Sequence, residues 1–422
     1  PHRPGSAYVA VKRYLQDDRA PYIYKTHDYG KTWTKIVSGI RADDYVHVVR
    51  EDTKRAGLLY AGTEHGVYVS SDDGASWQSL SLNLPDTQVP DLVVEENDLV
   101  IATHGRSFYI LDNIWPLRQL TPEVGRASVH LFTPPDAVRR FRPATIDYYL
   151  KQPAGKVTVE ILDANGRVVR TFTGSSQEEK APPPAADSGA PPPPVRAGAK
   201  AGLNRFVWDL RYPAATPLPR MFMRGATPYV GPWAVPGTYQ VRLTADGQAE
   251  TRSFSLKADP RLPSVTQADL QAQFDLAMKV RNRTAEGNEA VILAGAIKDR
   301  LSDRVEKAKD PQVTAAAEAL AKKLSEVEEA VYQVRLKSGQ DLFHWPIRLN
   351  NRLAGLERVI ENADERPTDQ CYTMFEQLSG ELTPILGKLE ATIKTDLAEF
   401  NRLMTAHQLE PVNSEKPQGG GS

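Results

Sequence analysis

One eight-residue stretch constrains the fold more than any other. Thr26-His27-Asp28-Tyr29-Gly30-Lys31-Thr32-Trp33 returns 44 residues later as Ser70-Ser71-Asp72-Asp73-Gly74-Ala75-Ser76-Trp77. Both copies follow a β-rich run, Pro21 to Lys25 and Gly66 to Val69, and both have the form Ser/Thr-x-Asp-x-Gly-x-Ser/Thr-Trp. The Asp can accept bonds from backbone N–H groups in a tight turn, the Gly permits positive φ, and the Trp can fold back as an apolar plug between neighbouring sheets. Asp28, Gly30, Trp33, Asp72, Gly74 and Trp77 are therefore expected to be structural. A unit of several short strands recurring every 40–50 residues or so describes a β-propeller blade.

This pattern resembles the BNR or Asp-box repeat proteins, which include sialidases, sortilin-type receptors and tandem-propeller glycoside hydrolases. The nearest resemblance is to large secreted bacterial proteins labelled as glycosyl hydrolases with BNR repeats. It extends to Leu58-Leu59-Tyr60-Ala61-Gly62-Thr63-Glu64-His65-Gly66-Val67-Tyr68 and to Val100-Ile101-Ala102-Thr103-His104-Gly105-Arg106-Ser107-Phe108. The resemblance implies a propeller and an extracellular or periplasmic setting. It implies little about chemistry, because the Asp-box in that family is a turn remote from the active site.

A chain of 422 residues exceeds one ordinary core, so several domains are expected. Residues 1–122 read as the C-terminal blades of a propeller, about three in number, with the third, from Asp91 to Trp115, lacking the Asp turn. Propellers usually close with four to eight blades, so three leave open edges. The missing blades are expected from upstream sequence or a second chain, and the opening Pro1 to Gly5 reads as an internal turn of a larger protein. Residues 123–260 alternate as an immunoglobulin-like β-sandwich. Its hairpin is Lys156 to Phe172 around Asp163-Ala164-Asn165-Gly166, and its Pro-rich loop spans 174–200. Residues 261–410 carry apolar positions at helical spacing and read as an antiparallel helical bundle. Ser264 or Thr266 is its first cap, and a break is expected near Pro384. Residues 411–422 end in a Gly-rich tail or linker. The fold class is thus multidomain, β plus α.

Lys plus Arg (52) and Asp plus Glu (53) nearly cancel, so no global field draws nucleic acid or an anionic membrane. No apolar run is long enough to span a bilayer as a helix. The single Cys371 allows no internal disulfide and no cysteine cluster for zinc. No metal site or cofactor is expected, and no Walker, Rossmann, Gly-x-Ser-x-Gly or His-Glu-x-x-His motif occurs.

Candidate chemistry concentrates where strands turn within a blade. Glu64-His65 and His104-Gly105-Arg106 occupy corresponding places, and Glu64, His65, His104 and Arg106 are the binding candidates on one rim. Hydrolysis of a glycosidic bond would need paired carboxylates, for which Asp44, Glu64 and Asp91 stand nearest the blade openings. The bland alternative is that His104 and Arg106 bond backbone or a neighbouring blade. A sialidase-like arginine triad is disfavoured, since Arg106 alone is placed for it. In the helical region, Phe343-His344-Trp345 to Leu353 reads either as a docking corner satisfied by Asn350 and Asn351 or as a groove with His344 as acid–base. Asp17-Asp18 and Asp72-Asp73 read as solvated surface or a calcium site. The favoured function is binding or scaffolding of a glycan or polypeptide. The alternatives are a glycoside hydrolase with acids partly upstream, and a structural subunit of a larger assembly.

Overall fold

The computed structural model describes residues 1–177 and 189–416. These fall into two compact units, one of 1–135, 147–153 and 200–204, the other of 136–146, 154–199 and the chain from 205 onward. Pro182 to Pro184 and the Gly-rich end lie outside the described residues. Pro191 to Pro194 lies in a stretch without helix or strand.

Within the first unit, residues 1–122 hold ten short strands in three antiparallel sheets. β1 (Ala7–Ala10), β2 (Ile23–Thr26) and β3 (Thr34–Lys35) form the first. β4 (Val46–Glu51), β5 (Leu59–Thr63), β6 (Gly66–Ser70) and β7 (Gln78–Ser79) form the second, and β8 (Asp91–Glu95), β9 (Asp98–Ala102) and β10 (Phe108–Leu111) the third. Such a series fits part of a propeller. Two apolar layers hold it together. Ile23, Ile36, Leu59, Ala61, Tyr68 and Trp77 pack in one, and Val48, Leu58, Tyr60, Val67, Leu92 and Leu99 in the other. β5 contributes to both layers, which is why each of its five positions is buried.

The outer sheets do not share that fate. The register sets Val93, Val100 and Ile110 in a row across the third sheet, with Ala102 beside Phe108. Phe108 is 73% exposed and Ile110 59%. On the first sheet Val9 pairs with Tyr24, and Val9 is exposed.

The two repeated turns are built alike. Asp28 Oδ1 accepts from the Thr32 N–H at 2.9 Å and Asp28 Oδ2 from its hydroxyl at 2.7 Å, while Gly30 N–H donates to Thr26 Oγ1 at 3.0 Å. In the second copy Asp72 accepts from Ser76 N–H (2.9 Å) and its hydroxyl (2.5 Å), and Gly74 N–H donates to Ser70 Oγ at 2.9 Å. Gly30 and Gly74 sit at φ of +81° and +83°, a region that glycine enters without strain. The tryptophans differ. Trp77 is 3% exposed and its indole N–H donates to Ile36 O of the preceding unit of the repeat. Trp33 is 45% exposed and donates to Gly30 O of its own turn. The expected plug therefore forms at Trp77 and not at Trp33, because no described sheet offers Trp33 the seat that Ile36 gives Trp77.

Eight further strands follow: β11 (Val129–Leu131), β12 (Ala137–Val138), β13 (Ala144–Leu150), β14 (Val157–Leu162), β15 (Val168–Gly174), β16 (Gly202–Trp208), β17 (Gly237–Ala245) and β18 (Gln248–Lys257). They form a three-stranded sheet, β11-β13-β16, and a five-stranded one, β12-β18-β17-β14-β15. β14 and β15 make the expected hairpin, its turn fixed by Asp163 Oδ1 accepting from Asn165 and Arg167 N–H. β12 runs parallel to β18, which the alternating pattern did not indicate.

Helices α1 (Pro122–Arg126), α2 (Gln267–Ala308), α3 (Pro311–Val331), α4 (Leu349–Ile360), α5 (Asp369–Thr392) and α6 (Ala398–Ala406) complete the chain. Thr266 caps α2 in a reciprocal box with Asp269. Asp310 caps α3, with Pro311 in the first turn where a missing N–H costs nothing. α5 runs through Pro384 unbroken, and the irregularity falls instead at a π-helical segment, Ile393–Leu397. Two apolar clusters form their core, one around Ile297, Leu324 and Phe400, the other around Leu276, Leu353 and Leu382.

Candidate functional site

At one end of the three-sheet unit a file of polar side chains crosses all three sheets. Its members come from equivalent places: Lys12 and Tyr14 from the β1–β2 connection, Glu64 and His65 from the β5–β6 turn, and His104 from the β9–β10 turn. Tyr45 and His47 enter from the start of β4, and Gln88 from the approach to β8. The β5–β6 turn is fixed from below by buried Asp44, which accepts from His65 N–H at 3.1 Å and from the Tyr68 hydroxyl at 3.2 Å.

The bonds run in sequence. Lys12 Nζ lies 3.1 Å from His47 Nδ1, and His47 Nε2 lies 3.0 Å from Glu64 Oε2. Gln88 Nε2 donates to the same Glu64 oxygen at 2.6 Å, and Gln88 Oε1 is 2.6 Å from His104 Nδ1. An ammonium has donors only, so His47 Nδ1 must accept and its Nε2–H must donate to Glu64. By the same logic Gln88 Oε1 accepts, and His104 Nδ1 is the donor. Burial pushes the His47 imidazolium's pKa down despite the bond to Glu64, so the ring is neutral in this arrangement. Burial alone would raise the Glu64 carboxyl. Bonds from His47, Tyr45 and Gln88 outweigh it and hold the group below the usual carboxylate range.

An aromatic platform stands beside this file. Tyr14 stacks on Tyr45 with ring centroids 5.2 Å apart and planes 18° from parallel, and Tyr45 in turn meets His47 at 5.1 Å. Tyr45 is buried, its hydroxyl pushed upward by burial and by Glu64, while the ring of Tyr14 is 45% exposed. The ensemble offers a flat apolar face next to an ionised carboxylate and several amide and imidazole groups. That combination suits hydrogen-bonding ligands with an apolar face.

The remaining candidates divide. His65 Nδ1 contacts Asp86 at 2.9 Å at the edge of the same rim. Arg106 is exposed and makes no hydrogen bond or ion pair among the described residues. Asp91 is exposed and paired with Arg50 at 2.9 Å. Asp44 has both oxygens engaged below the surface, so the structure does not bring Asp44, Glu64 and Asp91 together as open acids. Lys12, Tyr14, Tyr45, His47 and Gln88 were not singled out from the sequence. His47 falls at a β-bulge between the Val46 and Val48 pairings, and a bulge re-aims a side chain in a way that strand alternation cannot reveal.

Other charge clusters have structural partners. Asp73 accepts from the Tyr8 hydroxyl and Lys25 Nζ at 2.6 Å each and lies 3.1 Å from His27 Nε2, which ties the first two sheets together. Arg118 Nε reaches both Asp52 oxygens at 3.0 Å, with both side chains buried. In the second unit, buried Arg139 and half-buried Arg140 both bond Asp364, and the guanidinium of Arg211 lies 4.0 Å from the ring centroid of Trp233. Within the stretch from Phe343 to Leu353, Asn351 pairs with both backbone groups of Arg224, and Asn350 bonds the Asn288 side chain rather than backbone. His344 is exposed. Among the described residues no group of three or more His, Cys, Asp or Glu could hold a metal, and no helix is long and apolar enough to cross a membrane.

No family model and no curated protein matches the chain. Among solved structures it is similar to an extracellular domain from B. thetaiotaomicron assigned to a one component system, at 10% identity over 57% of this chain and a TM-score of 0.18. It is also similar to an ancestral GH74 enzyme, at 15% identity over 61% of this chain and a TM-score of 0.19. The chain spans 28% and 34% of the lengths of those two proteins.

Proposed function

We propose that this chain is part of a secreted or periplasmic BNR-repeat propeller protein, with an immunoglobulin-like sandwich and a helical bundle following the blades along the chain, and that it binds a glycan or polypeptide on the rim. The observation that carries the reading is the file from Lys12 to His104, drawn from all three sheets and flanked by the exposed face of Tyr14. A sugar ring or an aromatic side chain would stack on Tyr14, and Glu64 together with Nε2 of His104, whose Nδ1–H is given to Gln88, would accept from hydroxyl or amide groups around its edge. Glycoside hydrolysis is the runner-up. It is disfavoured because a general acid needs a raised pKa, whereas Glu64 is held low, and Asp44 and Asp91 are already engaged.

A glycan array probed with the wild-type chain and with Tyr14→Ala and Glu64→Gln tests the reading. Binding of one glycan class, weakened at least tenfold by each substitution, is the expected result. Binding that both substitutions leave unchanged would remove the rim as the site. Release of reducing ends from a bound glycan would favour the hydrolase.

A second reading concerns assembly. The exposed apolar side chains of Val93, Phe108 and Ile110, with half-buried Val100 between them, and those of Val9 and Trp33 are the chemistry by which the middle sheet is held from both sides. We infer that further sheets of the same kind cover them, from the same polypeptide or another. Native mass spectrometry of the intact particle, compared with Phe108→Asp, would report such a partner. A wild-type chain that stays monomeric would count against it.

A further inference from the structure

The π-helical segment Ile393–Leu397 borders a cavity, far from the rim in sequence. A cavity of about 420 Å3 lies between α3 and the α6 end of the last helix. Leu320 and Phe400, both nearly inaccessible, form its floor, and Ala316, Ala319 and Leu403 its walls. The volume falls within the range of small-ligand pockets, roughly 300–1,000 Å3. A π-turn inserts extra backbone into a helix and shifts the register of everything after it, and such turns gather at functional sites. Here the segment carries Asp396, which lines the cavity, while Leu389 of α5 and Phe400 of α6 remain in one apolar cluster.

The charges at the mouth define the occupant. Lys323 Nζ is paired with Asp396 Oδ1 at 2.7 Å, so these two nearly neutralise each other. Glu399, on the first turn of α6, also lines the mouth and is exposed, with no ion pair or hydrogen bond among the described residues. The mouth therefore carries one uncompensated negative charge above an apolar floor. We propose that this cavity binds an organic cation with an apolar body, a primary ammonium on an alkyl or aryl group, with the body against Leu320 and Phe400 and the ammonium on Glu399 beside Asp396. An anionic amphiphile would meet Glu399 with like charge, and only Lys323, already paired, could receive it.

The test uses the full chain and two probes of similar size, 2-phenylethylammonium and 3-phenylpropionate, followed by calorimetry and by chemical-shift changes. The ammonium should bind in a 1:1 ratio and the carboxylate at least tenfold more weakly. Glu399→Gln should weaken the ammonium about tenfold. Ala319→Phe, made at an exposed wall position, should fill the cavity and abolish binding while the circular dichroism and unfolding midpoint stay near wild type. Tyr14→Ala at the rim should leave this binding unchanged. Failure of the ammonium to bind at millimolar concentration overturns the proposal. So does equal binding of the two probes, or binding that survives Ala319→Phe.

Discussion

The two copies of the repeated turn share their internal bonds and differ in their surroundings. Asp28 and Asp72 each hold the N–H and hydroxyl of a residue four positions on, and the glycines share one backbone conformation. Trp77 nevertheless lies inside an apolar layer and Trp33 lies half in solvent. The turn is a local device that folds from its own eight residues. The plug is a tertiary device, whose value depends on the sheet placed opposite. A motif can therefore be read with certainty for its backbone and still be silent about how much each copy stabilises.

Truncating the tryptophans should separate these two contributions most widely. Trp77→Ala empties a buried site among Ile23, Ile36 and Leu59 and is expected to cost about 3–5 kcal/mol. Trp33→Ala should cost under about 1 kcal/mol, as an exposed side chain does. Urea unfolding of both variants measures the gap. Equal losses would mean that Trp33 is covered in solution, and would favour the covering sheet proposed above.

The glycines sharpen the same contrast at smaller scale. A methyl group at either position meets the same left-handed backbone, about 1–2 kcal/mol of strain. At Gly74 it would also lie 2.4 Å from Ile36 Cδ1, whereas at Gly30 its nearest neighbour is Trp33 at 3.7 Å. Gly74→Ala should therefore exceed Gly30→Ala by about 1–3 kcal/mol, the usual cost of overpacking. The residues just before these glycines form a third pair. Asp73 and Tyr29 both have positive φ, near 60°, but Asp73 is held by Tyr8, Lys25 and His27 while Tyr29 is 80% exposed. Asp73→Ala should cost about 1–3 kcal/mol by stranding its donors. Tyr29→Asn should be neutral or mildly stabilising, because Asn tolerates the left-handed region better than Tyr. A loss at Tyr29 comparable to that at Asp73 would break the comparison.

These pairs also explain what could be read from the sequence. The turns, the strands around them, the Asp163 hairpin and the cap at Thr266 all depend on residues within a few positions of each other, and each was legible. Glu64, His65 and His104 could be placed on one rim because the repeat aligns equivalent turns. Their partners could not. Lys12 reaches His47 and Gln88 reaches Glu64 across sheet boundaries, and His47 meets Glu64 within its own sheet from a bulge. Asp44 looked like an open acid because sequence shows its neighbours along the chain and hides the Tyr68 hydroxyl above it. Pro384 looked like a break because the ring removes a helical bond, yet packing of the helix carries it through, and the irregularity moved to Ile393.

The smallest expected effect is in acid, where the shared part of the motif is tested alone. Asp28 is held at about 2, first by the Thr32 hydroxyl and then by the Thr32 N–H and Thr26. Burial would raise Asp72, but the Ser76 hydroxyl and N–H and the Ser70 hydroxyl overcome it and leave its carboxyl below the ordinary value. A carboxyl lowered on folding adds stability above its unfolded pKa, near 3.9, and that stability is lost as pH falls through the folded value. The Asp28 turn should therefore weaken between about pH 4 and pH 2, and the Asp72 turn as pH falls below about 4. Glu357 acts in another window. Burial, followed by repulsion from Glu361, raises its carboxyl to about 8, so its cost to stability grows as pH rises from about 4.3 to 8 and is absent in acid. Unfolding midpoints between pH 5 and pH 2 for wild type, Asp28→Asn and Asp72→Asn isolate the turns. Each substitution should flatten the acid slope by a similar amount if the turn is the self-contained device described. If Asp72→Asn flattens the slope far more than Asp28→Asn, the neighbouring sheet reaches into the turn as well as into the tryptophan's seat.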